Sequence, residues 1–578
     1  MQLKSISLLF IFFLVSFSTK VIASPKNYQS PLYSDTVPGL IAEYGADVSD
    51  LNKVYIFPHS PEYFLRFNQL YSQWLNRLKA IDFNALSVSD RVDYLLLRRN
   101  IQNDQYDLQQ NEKEYRQYSY ALPFAEGVIA LQQKRRRGQK PDAMVTAKDF
   151  NEVVIQIKKA KAVVSKNPLA DKNLSNKVRE TISELRKGLK NVYSFYNGYD
   201  PGFSWWMKKT FPDTDSALNA YSKWISLQPV VKADKAMDSS GIIGHPVGRA
   251  KIEQLLRSEM IPYTPEELIK IAYKEFAWCD SEMLKASCQM GFGNDWRKAL
   301  EKVKENYVAP GSQPELINRL EEKAIHFIDS LNLVTIPPLA REAWRMDMLS
   351  TQEQKYASYF LGGPEILIAY PTDEMDYDSK MMSLRSNNFA FANAEVYHEL
   401  IPGHNLQFFM GRRYKTYRRV FSTPFSVEGW AFYWEMIMWD KGYDHTPEEK
   451  ISSLFWRMTR CARIIFSLNY HLGNWTPQQC IDYLADRVGL ERASAESEVR
   501  RSFTGGYGPL YQLAYMFGAL QMHALHHEMV DSKKMTDKQF NDAFLHEGTI
   551  PIEMFRAIIT GQKLPENFTT QWRFYDTK

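Results

Sequence analysis

Apolar residues recur three and four positions apart along much of the chain, with Lys, Arg and Glu between them. That spacing lines one face of a 3.6-residue turn and predicts amphipathic helices over 61–80, 86–110, 148–165, 172–195, 264–288, 296–307 and 313–331. Strand signals are sparse. The best lies at 356–371, where two β-prone runs, 356–361 and 365–370, flank Gly362-Gly363-Pro364 as a hairpin-like break. The prediction is a mainly α chain with one small β-hairpin. Pro229, Gly241, Gly244, Pro262 and Pro265 punctuate a loop-rich stretch. It divides an N-terminal helical layer at roughly 35–230 from a second helical half at 260–578, and a cleft between them is the expected substrate route. With no fixed repeat and no long Ser- or Gly-rich linker, 24–578 is expected to form a single domain.

The first 23 residues depart from this pattern. Lys4 opens the chain, Ile6 to Phe17 form an apolar run, and Val21-Ile22-Ala23 is a small-residue cleavage site, so 1–23 reads as a secretory signal. The run is about a dozen residues, short of the roughly 20 that span a bilayer, and no later run is uninterrupted enough to span. No Cys follows it, so the lipid-anchored type of export signal is not expected. Cleavage would remove Lys4 and Lys20, taking two charges from a formal +4 and leaving +2. Such near-balance argues against a nucleic-acid partner. The expectation is a periplasmic or secreted bacterial protein without a membrane span. Four cysteines, Cys279, Cys288, Cys461 and Cys480, are too few for a disulfide scaffold. The local pairs 279/288 and 461/480 are the conceivable bridges in an oxidising compartment, and free buried thiols are the alternative.

Chemistry concentrates in His398-Glu399-Leu400-Ile401-Pro402-Gly403-His404. A His-Glu pair opening a helix is half of a zinc-hydrolase signature, in which the His holds the metal and the Glu takes a proton from water. The second His of the usual spacing would stand at 402, where this chain has Pro402, and the next His is His404. Positions six apart on a straight helix face roughly 120° away from each other. Pro402 lacks a backbone donor and Gly403 tolerates unusual dihedrals, so the pair is expected to break the helix and return His404 towards His398. Glu428, 24 positions after His404, completes a His2Glu set of the kind that leaves one zinc position open. Glu435, seven residues further on the same helical face, is an alternative ligand or a partner for a His ring.

The combination of His398-Glu399, Pro402-Gly403-His404, Gln407 and Glu428-Gly429-Trp430-Ala431 resembles the DUF885 family, a bacterial group related to helical, thermolysin-like zinc peptidases. Two later runs, 509–518 and 544–551, are similar to the family's closing helices. The resemblance spans most of the chain, with its specific motifs between about 357 and 556. It implies a large helical metallopeptidase-like fold with a small β-hairpin or sheet beside the metal helix. It also implies Zn2+ on His398, His404 and Glu428, with Glu399 as general base. The Tyr507–Tyr515 segment would supply a hydroxyl to the developing oxyanion, Tyr515 first and Tyr511 second, and the strand pair would hold an extended substrate.

The expected function is an exported zinc metallopeptidase acting on peptide or peptide-like substrates. The alternatives are a zinc hydrolase of a non-peptide amide or ester, and a non-catalytic binding protein stabilised by metal. Arg385, Arg501 and Arg556 are candidate readers of a substrate carboxylate. Other groups carry duller readings: Lys134 to Arg137 as a solvated loop tip, Asn405 and Gln407 as lining of the helix break, and His523, His526 and His527 as structural.

Overall fold

The computed structural model describes residues 36–232, 238–354, 363, 365–504 and 506–576. The signal-like segment and the 356–361 run lie outside the described residues. Seven helices form the N-terminal layer: Val37–Val54, Pro61–Lys79, Val88–Tyr118, Ala125–Arg136, Ala143–Lys166, Lys172–Tyr196 and Pro201–Leu227. Their starts follow from local chemistry. Ser60, Ser87, Asp142, Asp171 and Asp200 each cap a helix by accepting the N–H three residues on, an interaction worth about 1 kcal/mol each. Their apolar stripes meet in one core that includes Phe67, Leu96, Phe150, Val178, Ile182 and Tyr221, all fully buried.

A larger core gathers the helices that follow. Pro265–Gln289 packs on Pro447–His471, and Pro424–Asp440 packs along Tyr511–His526. Thr264 and Thr446 begin two of these with capping boxes closed by Glu267 and Glu449. The two halves meet through buried ions as well as apolar contacts. Arg418 donates to Asp93 of the layer at 2.6 Å and pairs with Glu547 of the second half, while Met260, Phe421, Ile550 and Met554 pack into the layer's core.

One expectation needs correction, and the open question of the cysteines is answered. Ile366–Ile368 is a strand, but its partner is Met346–Met348, and the pairing is parallel. The two-stranded sheet is therefore a crossover rather than a hairpin. It still lies beside the helix carrying His398, since Ile366 and Ile368 pack with Ala392, Val396 and Leu400. The short strand at 366–368 buries both Ile side chains on one face, and that face decides its place. The cysteines are all free. Cys279 and Cys288 lie on one helix, nine residues apart, and Cys461 instead adjoins Cys279 across the packed helices. No described helix is long and apolar enough to cross a membrane.

Candidate metal centre

The helix Phe389–Glu399 is capped by Asn388 and buried on all sides from Ala390 to His398. It stops at Glu399, and a new helix begins at His404 and runs to Gly411. Between them, Glu321 accepts the Ile401 N–H at 3.0 Å, and Trp430 Nε1 donates to the Pro402 carbonyl at 2.9 Å. The Ile401–Pro402 peptide bond is cis. Gly403 is required by space: a Cβ there would run into the carbonyls of His398 and Tyr397. The break brings the two imidazoles together, with ring centroids 5.0 Å apart and planes at 86°.

Three donor atoms converge. Glu428 Oε2 lies 3.3 Å from His404 Nε2 and 3.9 Å from His398 Nε2. Ligands about 2.0–2.2 Å from a tetrahedral zinc stand roughly 3.3–3.5 Å from one another. The His404–Glu428 spacing matches that range and the His398–Glu428 spacing is about half an ångström wider. Two of the donors are also oriented by a hydrogen bond, while His404 Nδ1 is buried without a partner. His398 Nδ1 lies 2.7 Å from Glu435 Oε1, which also accepts from Arg460 Nη2 at 3.2 Å. An Nδ1–H donated to that carboxylate leaves the Nε2 lone pair facing Glu428. The Tyr511 hydroxyl donates to Glu428 Oε1, leaving Oε2 for the ion. His404 is held by packing, its ring stacked on Phe408 at 5.9 Å.

Glu399 stands at the edge of this cluster, with Oε1 4.0 Å from His398 Nε2. His398, Glu399 and His404 offer atoms all within 4.8 Å of one another, so Glu399 is also within reach of an ion. Glu428 is nearer to both imidazoles, and its other oxygen is already engaged, which favours it as the ligand. Burial above all, with help from Glu428 and Glu435 and against His404, pushes the Glu399 carboxyl up to about 7. The Glu428 carboxyl goes the other way. Burial opposes its ionisation, but His404, His398 and the Tyr511 hydroxyl outweigh it and hold the carboxyl at about 2.

Two glycines explain how the tyrosines reach the site. A Cβ on Gly429 would meet Gly518, and one on Gly518 would meet Gly429 and the Phe425 carbonyl, so the 424–440 and 511–526 helices touch backbone to backbone. That contact sets Tyr511 against Glu428 and Tyr515 beside His398, ring centroids 6.3 Å apart. Tyr515 is 8 % exposed, and its hydroxyl has no hydrogen-bond partner among the described residues. Arg460 and Arg463 lie 5.1 and 4.7 Å from its ring.

The remaining candidates resolve into ordinary contacts. Arg385 pairs with Glu301, and Arg556 forms a fork with Glu528 at 2.8 and 3.0 Å. His523, His526 and His527 pair with Asp440, Asp537 and Asp531. Lys134 to Arg136 close a helix whose end runs to Gly138. Asn405 and Gln407 are buried on the His404 helix, with Gln407 donating to the Ser426 carbonyl at 2.9 Å. Sequence reading missed Arg460, Arg463, Glu498 and Glu321. The available signal was three arginines, Arg457, Arg460 and Arg463, each three residues apart inside the otherwise mainly apolar run 454–468.

The chain superposes on solved bacterial proteins across nearly its whole length. A candidate lipoprotein of unknown function from Shewanella oneidensis matches with a TM-score of 0.65 at 16 % identity, covering 91 % of this chain and 100 % of that one. A candidate lipoprotein from Colwellia psychrerythraea matches with a TM-score of 0.57 at 15 % identity, covering 91 % and 99 %. At such identities the likeness shows the fold alone. No curated protein matches. Residues 57–559, which include every donor described above, match the family described as bacterial protein of unknown function (DUF885), and the chain belongs to it.

Proposed function

We propose that the chain is an exported zinc-dependent hydrolase that cleaves peptide amide bonds. The observation that carries this reading is the convergence of His398 Nε2, His404 Nε2 and Glu428 Oε2 with a second, partly buried carboxylate, Glu399, beside them. When bound, zinc would supply Lewis acidity toward water and toward a carbonyl oxygen. The chain's own residues do the rest. Glu399 Oε1 takes the proton of the attacking water and later delivers it to the leaving nitrogen, a task suited to a carboxyl near 7. The free Tyr515 hydroxyl donates to the substrate oxygen as it gains charge. Glu435, clamped by Arg460, keeps the His398 ring turned so that Nε2 faces the centre. The surrounding apolar helices exclude bulk water, which strengthens each of these interactions. Export is supported by the signal-like residues 1–23 and by the candidate lipoproteins that share the fold.

The competing reading is a closed, non-catalytic zinc site with Glu399 as its fourth ligand, favoured by the reach of Glu399 within the cluster. One substitution separates the two. Glu399→Gln in the hydrolase keeps about one zinc per chain and loses turnover on the order of 10²–10⁴-fold. The measurement is mass-spectrometric product analysis of a mixed peptide library with zinc-loaded wild-type and variant proteins, with a chelator control. A variant that loses its zinc, or a wild type that cleaves nothing, supports the closed site. Cleavage that survives chelation rejects the metal's role.

A further inference from the structure

Next to the metal centre, two guanidinium groups share one carboxylate. Glu498 is 3 % exposed and accepts from Arg463 Nε at 2.9 Å, Arg463 Nη2 at 3.0 Å, Gln512 Nε2 at 2.8 Å and Arg501 Nη2 at 2.5 Å. Each oxygen thus receives two donors, which fills the roughly four lone-pair sites of a carboxylate. Nothing is left on Glu498 for the rest of Arg501. Its Nε is buried without a partner, a costly state for a charged donor. The local count is two cations against one anion, in a region where unpaired charge is disfavoured.

The three arginines near the site differ in access. The side chains of Arg460 and Arg463 are each 5 % exposed; Arg463 grips Glu498 through two nitrogens, whereas Arg460 holds Glu435 through one and also has a buried Nε without a partner, so access is what sets Arg501 apart. Arg501 is 17 % exposed and holds Glu498 through one nitrogen only. It also has a path to the metal centre. Its guanidinium lies 5.7 Å from the Tyr507 ring, Tyr507 stacks on Tyr511 at 4.1 Å, and Tyr511 donates to Glu428. Tyr515, beside His398, is close enough to feel Glu428, Arg463 and Arg501 together. A row of aromatic rings therefore joins a donor-rich, partly wet cation to the donor set that would hold zinc.

We infer that Arg501 is a specificity-determining residue whose partly exposed guanidinium receives the C-terminal carboxylate of a peptide substrate, so that the hydrolase acts from the carboxyl end of the chain. This rests on the hydrolase reading above. A planar carboxylate matches the fork of a guanidinium, and hydrogen bonds between charged partners are the strong ones. Arg501 is a binding residue; the bond-breaking proton transfers remain with Glu399.

The test compares N-acetylated tetrapeptides as free acids and as C-terminal amides, with zinc-loaded wild type, Arg501→Gln and Arg501→Lys. The wild type should favour the acids by about 10–100-fold in kcat/KM, the range expected for charged hydrogen bonds. The preference should lie mainly in KM. Arg501→Gln should bring acids and amides to within about threefold while amide cleavage continues, and Arg501→Lys should restore part of the preference. Equal cleavage of acids and amides by the wild type would overturn the inference and leave the hydrolase standing. A preference kept by Arg501→Gln would overturn the assignment to Arg501. Cleavage of neither form would overturn the hydrolase reading and the inference with it. Should Arg501→Gln fail to fold by circular dichroism, the wild-type acid and amide rates and the Lys variant still decide the matter.

Discussion

The layer at 37–227 and the helices around His398 bury their surfaces in opposite ways. In the layer, the 172–196 helix hides Leu174, Val178, Ile182, Leu185, Leu189 and Val192 along one stripe and leaves its other face to solvent. In the second half, the 424–440 helix is buried from Glu428 to Met438 without a break, and two of those residues are carboxylates. Among the described residues the layer buries one side chain of the Asp, Glu, Lys and Arg class, Asp93, and that one is turned to Arg418 of the other half. Around His398 the buried set includes Glu395, Glu428, Glu435, Arg460, Arg463 and Glu498. Buried ions cost several kcal/mol each to desolvate, and apolar replacements of similar size often stabilise. Such a concentration of buried charge, with the Glu399 carboxyl raised and the Glu428 carboxyl lowered in the same place, is what the proposed hydrolase site would need.

That contrast is broken most severely at the contact that lets the charged helices approach. Gly518→Leu would place a side chain into the Phe425 carbonyl and Gly429. Overpacking against backbone cannot relax by rotamer change, so the expected loss is above about 4 kcal/mol, together with loss of zinc binding. Thermal melts and zinc titration check it. A variant within about 1 kcal/mol of wild type that still binds zinc would show that the glycine pair does not set the site.

Legibility in the sequence divides along the same line. The amphipathic helices at 61–79, 143–166, 172–196, 265–289 and 313–331 have ends within a few residues of those the periodicity predicts, because one face is wet and the pattern records it. The 389–399, 424–440 and 511–526 helices carry almost no period, being buried all round, and only their motif residues marked them. The 366–368 strand was legible and its partner was not, since parallel pairing depends on a distant segment rather than on a turn. His398, Glu399, His404 and Glu428 could be read as a set because a helix break between two imidazoles leaves a local mark. Arg501 was readable only as one of three candidate carboxylate readers, Arg463 only as one of several spaced arginines, and Glu498 not at all: their grouping comes from three-dimensional donor counting at one carboxylate.

A second way to sharpen the contrast is acid. Burial opposes ionisation of Glu498, but Arg463 and Arg501 outweigh it and hold its carboxyl at about 2, below an ordinary value of 4.5. A carboxyl depressed in the folded state stabilises above its unfolded pKa, and that contribution is lost as pH falls from about 4.5 towards 2. At neutral pH it is on the order of 3 kcal/mol. Glu498→Gln should therefore be less stable than wild type by about that much at pH 7, with the gap shrinking by roughly half between pH 5 and pH 3. Urea midpoints across this range measure it. A gap that stays constant with pH would mean that Glu498 is not ionised in the folded protein.

The smallest effect is expected in the layer. Ile182 is fully buried among aliphatic neighbours, and Ile182→Val removes one methylene without leaving a polar group unpaired. The cost should be about 1 kcal/mol, the transfer term plus a small cavity. It should appear in the urea midpoint at unchanged slope, with zinc affinity within about twofold of wild type. The reason is the route any disturbance would have to take. From Ile182 it would pass through the layer's core to Met260, Phe421, Ile550 and Met554, or through Asp93 to Arg418, before reaching the 404–411 helix. Apolar side chains along the first route can yield by small rotations. The ionic route ends on Arg418, which is also anchored by Glu547 and Ser89, so it resists displacement. A fall in zinc affinity of tenfold or more in Ile182→Val would show instead that the layer holds the metal centre in shape, and that the two ways of burying surface serve one cooperative unit.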